Sequence, residues 1–233
     1  MFVSVSSVPS LCPSCDLGVT ARTCPVVVLP FELMKLTTAT LVSADGVMQA
    51  PGGSGEDRRG AFERGGWARG NPDSEVMTFI VELYQRADAF LFGRWTFELF
   101  AGHWEAMQAG SHPIADALNT RPKYVASTTL TDAQWTDTTV LSGDLAAAIG
   151  ELRTKPGGEL QVHGSGKLIR WLLENQLVDE MNLLTVPVVV GEGTRLFPDT
   201  GPDIALDLLD SRAFPKGSTL RVYRPTGRPQ YAT

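Results

Sequence analysis

Short apolar runs alternate with amphipathic stretches along most of this chain. The apolar runs have the length and β-branched content of strands, whereas the amphipathic stretches show the spacing of helices. Predicted strands cover 36–43, 89–92, 124–127, 159–163 and 180–189, and predicted helices cover 72–87, 95–100, 144–152 and 167–175. Strands that alternate with helices imply crossover connections. We therefore predict an α/β fold with a mostly parallel central sheet covered on both faces.

The C-terminal part of the chain has a different pattern. Two further strands are predicted at 204–214 and 219–225, with only the turn residues 215–218 between them. Such a short connection joins antiparallel strands, so we predict a hairpin at one edge of the sheet. A length of 233 residues suits one large domain, which we assign to 34–227, followed by a tail at 228–233.

Residues 1–33 lack the alternating pattern and are rich in Ser, Pro and Cys. We predict that they are a disordered leader or that the natural start is Met34. All three cysteines, Cys12, Cys15 and Cys24, fall in this stretch. Cys12 and Cys15 have the spacing of a zinc knuckle, but no fourth ligand is near, and incidental cysteines explain them better. We predict no metal site, and the lack of a disulfide framework favours a cytoplasmic protein.

The net charge of −6 narrows the range of partners. An acidic chain without basic runs disfavours a nucleic-acid surface. The apolar run at 24–30 is too short and too rich in proline to cross a membrane. We expect a small-molecule substrate, no nucleic acid, no membrane, and a homodimer as the assembly.

The glycine-rich stretch 50–70 interrupts the pattern. This segment contains too many glycines and charged residues to pack as a helix or strand, so we predict a mobile loop over the strand ends. Phe62 and Trp67 would be the apolar faces that close on a ligand. A plain surface loop is the alternative, although long loops inside compact domains are often functional.

Two glycine-containing turns carry the clearest chemical signal. In FLFGRWTFE (90–98) and VHGSGKL (162–168), an apolar run ends in glycine, a cation follows, and a helical pattern begins. This arrangement directs unpaired backbone N–H groups and the positive end of a helix dipole at one spot, which favours phosphate. Either turn alone is also typical of a simple chain reversal, but the repeated arrangement indicates an extended dinucleotide. Ile169 stands where a Rossmann fingerprint has its third glycine, so that fold is disfavoured.

These turns, with TLVSADGVMQ (40–49) and YVAST (124–128), resemble the dihydrofolate reductase-like family. The likeness covers about 34–225 and is greatest to the reductase branch of bacterial riboflavin biosynthesis. It implies a three-layer α/β/α fold that binds NADPH across the carboxyl ends of the strands. The cofactor-binding residues that it implies are Gly93, Arg94, Thr96, Ser127, Thr128, Gly164, Ser165, Gly166 and Lys167.

Within that set, the resemblance assigns Gly93, Arg94 and Thr96 to the pyrophosphate and adenosine side. Ser127 and Thr128 would meet the adenine ribose and its 2′-phosphate, and the turn at 164–167 would hold the pyrophosphate. A guanidinium and helix-terminal amides suit phosphate on physical grounds as well. An ion pair between Arg94 and Glu98 is the alternative role for that arginine.

Hydride transfer requires few protein groups because the nicotinamide carries the chemistry. Asp45 and Thr185 are our candidate catalytic residues, as proton donor or substrate anchor, and Glu75 is a further candidate. Asp45 followed by Gly46 also fits a tight turn, and Glu75 fits a favourable helix-dipole contact. His163, flanked by apolar residues, fits a structural histidine better than a catalytic one.

The sequence departs from true folate reductases on the helix at 72–87. Those enzymes hold the pterin with a carboxylate there, but Met77 and Thr78 occupy the corresponding positions. We therefore predict that dihydrofolate is a poor substrate. The resemblance implies an NADPH-dependent reductase of a small heterocyclic (pterin- or aminopyrimidine-like) or carbonyl substrate, with 5-amino-6-(5-phosphoribosylamino)uracil reductase-type activity among the options. A catalytically silent nucleotide-binding domain is the alternative.

Overall fold

A computed structural model describes residues 33–70 and 72–232 of the chain. Its strands are β1 Lys35–Ser43, β2 Ala87–Gly93, β3 Lys123–Ala126, β4 Thr138–Leu141, β5 Glu159–His163, β6 Glu180–Val186, β7 Leu206–Ala213 and β8 Thr219–Pro225. Its α-helices are α1 Ser74–Arg86, α2 Arg94–Trp104, α3 Pro113–Thr120, α4 Leu145–Arg153 and α5 Gly166–Glu174. Two 3₁₀ turns, Arg59–Ala61 and Trp67–Gly70, lie between β1 and α1.

The eight strands form one sheet in the order β4-β3-β2-β5-β1-β6-β8-β7. The strands from β4 to β6 run parallel, and β8 pairs antiparallel with both β6 and β7. The predicted parallel sheet and antiparallel C-terminal hairpin are confirmed. Because β2 and β5 are neighbours, the ends of two distant strands lie side by side at the carboxyl edge of the sheet.

Alternate side chains of the central strands enter two separate cores. Phe90 and Phe92 of β2 pack with α1, α2 and α3 on one face. Leu91 of β2 and Val162 of β5 pack with α4 and α5 on the other. Since successive strand residues point to opposite faces, continuous apolar runs such as 89–92 are what a sheet covered on both sides requires. The predicted three-layer arrangement is confirmed.

Two elements have no counterpart in our sequence predictions. Strand β4 lies at the sheet edge and is only partly buried, so its sequence has no strong apolar alternation. Helix α3 begins with Pro113, and its cap is Nδ1 of His112, which accepts a hydrogen bond from Ile114 N. His112 is not one of the usual capping residues, but Pro113 at the first helical position is a start signal that our sequence predictions did not use.

Residues 50–70 form a loop with only two 3₁₀ turns, as predicted, but the loop packs against the domain, which the prediction did not expect. Phe62 is buried, and the indole N–H of Trp67 donates to the carbonyl of Gln49 at 2.8 Å. The buried Gln49 side chain in turn donates to the carbonyls of Asp57 and Arg59. Side-chain hydrogen bonds therefore hold this segment in place without strand or helix pairing. The glycine content of the segment consequently did not indicate how well it packs.

Residues 1–32 lie outside the described residues, as do Cys12, Cys15 and Cys24, so the leader and its cysteines stay predictions. The described chain begins with Leu33, which forms a single bridge with Pro156. Met34 follows with a buried side chain, and its N–H donates to the carbonyl of Lys155 at 3.2 Å. The part of the chain that the structure describes contains no helix long and apolar enough to cross a bilayer.

Candidate active site

A cavity of about 2180 Å³ opens at the carboxyl ends of β2, β3 and β5 and extends beneath the segment 48–69 to α1. Its wall includes every residue that the sequence predicted for cofactor binding. These are Gly93, Arg94, Thr96, Ser127, Thr128, Gly164, Ser165, Gly166 and Lys167. The structure therefore brings together residues that lie up to 74 positions apart (93 to 167) in the sequence.

Ser165 joins the two glycine-containing turns. Its hydroxyl accepts a hydrogen bond from Gly93 N at 3.0 Å and donates one to Oγ1 of Thr96 at 2.7 Å. To reach both, Ser165 adopts a left-handed backbone conformation with φ of +56°, which is unfavourable for a residue with a Cβ. The shared hydrogen bonds hold the starts of α2 and α5 together as one unit.

The first turns of α2 and α5 also differ from those of the other described α-helices. Asp73, His112 and Asp144 cap α1, α3 and α4 by accepting backbone N–H groups. Neither α2 nor α5 has such a side-chain cap. Uncapped N–H groups at a helix start attract anions. Two such starts, side by side on one cavity, fit the pyrophosphate of a dinucleotide.

Gly164 and Gly166 allow neighbouring side chains to pack closely against the turn at 164–167. Gly164 has φ of +59°, and a Cβ there would lie 3.5 Å from Cγ2 of Thr96, between the two turns. A Cβ on Gly166 would approach Sδ of Met48 to 2.6 Å. Both glycines line the cavity; Gly164 is required by its positive φ, and Gly166 by the close approach of Met48.

The cation of each turn lies at the cavity wall. Arg94 donates to Glu98 at 2.7 Å and to Oγ1 of Thr129 at 2.8 Å, so the ion pair weighed as an alternative is present. The contact with Thr129 also places the guanidinium beside Ser127, whose Oγ accepts from Thr129 N and Leu130 N. Among the described residues, the exposed Lys167 ammonium has neither a hydrogen-bond nor an ion-pair partner.

Asp45, predicted as catalytic, lies outside the cavity wall. Its carboxylate accepts from the Ser43 hydroxyl at 2.7 Å and from the backbone N–H groups of Val190 and Gly191. The hydrogen bonds from Ser43 and then Val190 hold the pKa of Asp45 far below its usual range. Asp45 therefore has the tight-turn role that we weighed as the alternative. It also fixes the loop after β6 through its hydrogen bonds to Val190 and Gly191.

Thr185, the other predicted catalytic residue, is on the opposite face of the sheet. Asn182, Leu184 and Val186 of β6 line the cavity, whereas Thr185 does not. Side chains alternate along a strand, so Thr185 points toward the layer formed by α4 and α5. Glu75, the acidic candidate on α1, pairs with Arg212 at 2.8 Å and lies outside the cavity wall. Met77, also on α1, contributes to that wall.

His163 and Tyr84 form the inner wall of the cavity. Their rings stack at 4.0 Å with an angle of 18°. Burial lowers the pKa of His163 to about 3, so the imidazole is neutral at physiological pH. Nε2 of His163 is 2.9 Å from Oε1 of Gln161, whose amide nitrogen donates to Leu83 O. Since Oε1 can only accept, Nε2 carries the proton, as expected for a structural histidine.

Comparisons with known proteins support the fold and indicate a family. The family described as the RibD C-terminal domain matches residues 34–220. The chain belongs to this RibD C-terminal domain family. Membership supports an oxidoreductase role at a coarse level. Over 166 residues the chain is 26% identical to the uncharacterized protein YyaP of Bacillus subtilis, a match that covers 69% of this chain and 84% of YyaP.

Two solved structures share the RibD C-terminal domain fold. One, from Shewanella sp. PV-4 and ascribed to riboflavin biosynthesis, has a TM-score of 0.64 and 24% identity, and the match covers 83% of this chain and 99% of that one. The other is a pyrimidine reductase-like protein from Corynebacterium diphtheriae with a TM-score of 0.57 and 16% identity. That match covers 85% of this chain and 96% of the other.

The wall of this RibD C-terminal domain also contains residues that the sequence did not indicate. Asp57 accepts two hydrogen bonds from the Arg59 guanidinium, which lies 4.2 Å from the centre of the Trp95 ring. Burial raises the pKa of Asp57, but the hydrogen bonds and the positive charge of Arg59 outweigh that effect, so the net shift is downward. Glu56 and Tyr84 line the cavity as well. Tyr84 was detectable as part of the apolar face of α1, but Glu56 sits in an irregular segment and carried no sequence signal.

Proposed function

We propose that this protein is an NADPH-dependent reductase that transfers hydride to a small heterocyclic or carbonyl substrate. The observation that carries the proposal is the pair of uncapped helix starts, α2 and α5, joined by Ser165 on one cavity wall. A single anion would need only one helix start. Two adjacent starts, with a lysine at one end and an arginine at the other, fit an extended ligand with several phosphates.

The residues that would hold the cofactor form two groups, one suited to the pyrophosphate and one suited to the 2′-phosphate. Backbone N–H groups at 164–167 and the Lys167 ammonium suit the pyrophosphate, together with Gly93 and Thr96. Ser127 and Thr128 follow β3, and Arg94 at the start of α2 reaches Thr129 beside them. Their hydroxyl and guanidinium groups suit the 2′-phosphate that distinguishes NADPH from NADH. When bound, the cofactor supplies the hydride, and the chain's own residues orient it.

The inner part of the cavity is the proposed substrate site. Phe79, Leu83 and Leu184 make it largely apolar, and the Tyr84–His163 stack adds a flat aromatic wall. A planar ring system packs well against such a surface, and exclusion of water strengthens the few polar contacts available. The printed descriptions of the two solved relatives, riboflavin biosynthesis and pyrimidine reductase-like, support a heterocyclic substrate, including a 5-amino-6-(5-phosphoribosylamino)uracil-type compound.

The proposal is tested by titrating NADPH against the protein and then measuring NADPH oxidation with pterins, dihydrofolate, aminopyrimidines and quinones. We expect binding and turnover of at least one pterin or aminopyrimidine, with little turnover of dihydrofolate because Met77 replaces an acid. Lys167→Gln should weaken NADPH binding. Arg212→Gln, which removes an exposed cation outside the cavity wall, is the matched control and should leave binding unchanged.

Binding without turnover of any compound would instead support a catalytically silent nucleotide-binding domain. The observation that favours this second function is that no carboxylate of α1 lines the described cavity wall, where folate reductases hold their substrate. If NADPH does not bind, both functions fail. A homodimer and a cytoplasmic location stay predictions.

A further inference from the structure

Glu56 lines the cavity and has one carboxylate oxygen without a hydrogen-bond partner among the described residues. Its Oε2 accepts hydrogen bonds from the backbone N–H groups of Gly52 at 2.6 Å and Gly53 at 3.0 Å. Within residues 33–70 and 72–232, its Oε1 receives no hydrogen bond. The two backbone contacts fix the orientation of the carboxylate, so Oε1 is a preorganised acceptor for a ligand.

The other carboxylates that line the described cavity wall are already paired. Asp57 is held by the guanidinium of Arg59, and Glu192 forms an ion pair with Arg64. Asp73 caps α1 and also accepts from Lys216 N at 2.9 Å. Glu56 therefore stands apart from these three because one of its oxygens is uncommitted.

Tyr84 supplies the complementary group. Its side chain is buried and stacked on His163, which fixes the ring, yet its hydroxyl has no hydrogen-bond partner among the described residues. Burial is the main cause that raises the pKa of the Tyr84 phenol well above its usual range, and the negative charge of Glu56 contributes to the same shift. The phenol therefore stays protonated and can donate. Tyr84 and Glu56 line the same cavity.

We propose that Glu56 and Tyr84 form a ligand-binding pair for the substrate. Oε1 of Glu56 accepts a hydrogen bond from an N–H group of the ligand, and the Tyr84 hydroxyl donates one to a carbonyl oxygen or ring nitrogen beside it. A lactam or 2-amino heterocycle carries such adjacent donor and acceptor groups, whereas a quinone carries acceptors alone. The pair thus selects heterocycles over quinones within the proposed reductase function, on which this inference rests.

The test measures the binding of two probes, pterin and naphthoquinone, to the full chain by fluorescence titration. Glu56→Gln keeps an oxygen for Gly52 and Gly53, and Tyr84→Phe keeps the ring stack on His163, so both variants should fold. Glu56→Gln should weaken pterin binding by about tenfold or more, the usual loss for a hydrogen bond to a charged group. It should leave naphthoquinone binding unchanged.

Tyr84→Phe should weaken both probes, because a quinone carbonyl can also accept from the phenol. Glu192→Gln is the matched control, since it removes a cavity carboxylate that is already paired, and it should weaken neither probe. The proposal is overturned if the unmodified protein does not bind pterin, or if Glu56→Gln binds it as tightly as the unmodified protein does. NADPH titration of the same samples reports on the proposed function separately, and thermal melting confirms the fold of each variant.

Discussion

The Ser165 hydroxyl donates to Oγ1 of Thr96 at 2.7 Å, which ties the start of α5 to the first turn of α2. Ser165→Ala leaves Gly93 N and the buried Thr96 hydroxyl without this partner and should lower the free energy of unfolding by about 1–3 kcal/mol. Ser165→Gly loses the same hydrogen bonds but relieves the left-handed backbone, so it should be about 1 kcal/mol more stable than the alanine variant. Urea unfolding of both variants tests this, and equal stabilities would contradict a strained Ser165.

Gly164→Ala should weaken NADPH binding by about tenfold, a loss equivalent to one charge-assisted hydrogen bond. The added methyl group lies between the two turns and occupies a backbone position with φ of +59°. The same variant should lose about 1 kcal/mol of stability because of that φ.

Gly150→Ala is the matched control for the Gly164 variant. Gly150 lies inside α4, and a Cβ there would meet nothing within 4 Å. Replacing an interior helical glycine should raise stability by about 0.5–1 kcal/mol and leave NADPH binding unchanged. A Gly164→Ala protein that binds NADPH normally would count against the phosphate assignment of this turn.

The proposed 2′-phosphate contact predicts that the protein binds NADPH more tightly than NADH. A charge-assisted hydrogen bond contributes about 1.5–3 kcal/mol, which corresponds to a preference of roughly tenfold to a hundredfold. Arg94→Gln should remove most of that preference by weakening NADPH binding without changing NADH binding. The test measures the dissociation constants of NADPH and NADH for the unmodified protein and for Arg94→Gln. Equal constants for the unmodified protein would show that Arg94 serves only its partners Glu98 and Thr129.

His163 should make the folded protein sensitive to mild acid. The pKa of this side chain is about 3 in the folded chain and 6.5 in the unfolded chain. As the pH falls below 6.5, the unfolded chain binds a proton that the folded chain does not, so the free energy of unfolding decreases. The slope approaches about 1.4 kcal/mol per pH unit, and the loss is complete only near the folded pKa.

Urea unfolding between pH 7 and pH 4.5 measures this slope before most carboxylates titrate. His163→Gln, which keeps an N–H group for Gln161, should flatten it. His103→Gln, at an exposed position, should not. A slope that survives in the His163 variant would assign the acid sensitivity to other groups.

The predicted leader is tested by a chain that begins at Met34. Because the pattern of 1–33 offers no periodic core face, this chain should melt within a few degrees of the full-length protein and bind NADPH equally well. The side chain of Met34 must remain, since it is buried in the core that covers β1. A large fall in melting temperature would show that the preceding residues stabilise the domain.

Local sequence patterns were sufficient to predict that the two glycine-containing turns come together on one cavity wall. A strand, a glycine, a cation and a helix follow one another within a few residues at 90–98 and at 162–168, and the parallel sheet then brings both turns to one edge. Their adjacency depends on the pairing of β2 with β5, which a mostly parallel sheet made reasonable. The link through Ser165 was not predictable, because it depends on a left-handed serine.

The inner part of the cavity was harder to predict for a geometric reason. Thr185 lies on a strand that lines the cavity but points to the opposite face of the sheet, and a shift of one residue in a strand exchanges the faces. Asp45 is close in sequence to the cavity-lining Met48, yet its carboxylate turns toward the loop after β6. Glu56 depends entirely on the path of an irregular segment, which hydrogen bonds to the Gln49 side chain help to define.

The order of the strands has a further consequence for how the site forms during folding. Since β2 and β5 are separated by β3, β4 and three helices in the chain, their pairing requires a contact between distant segments, which is slow to form. A ligand that touches both turns meets its complete set of partners only after that pairing. Such a ligand should therefore extend the lifetime of the folded protein while leaving its refolding rate nearly unchanged.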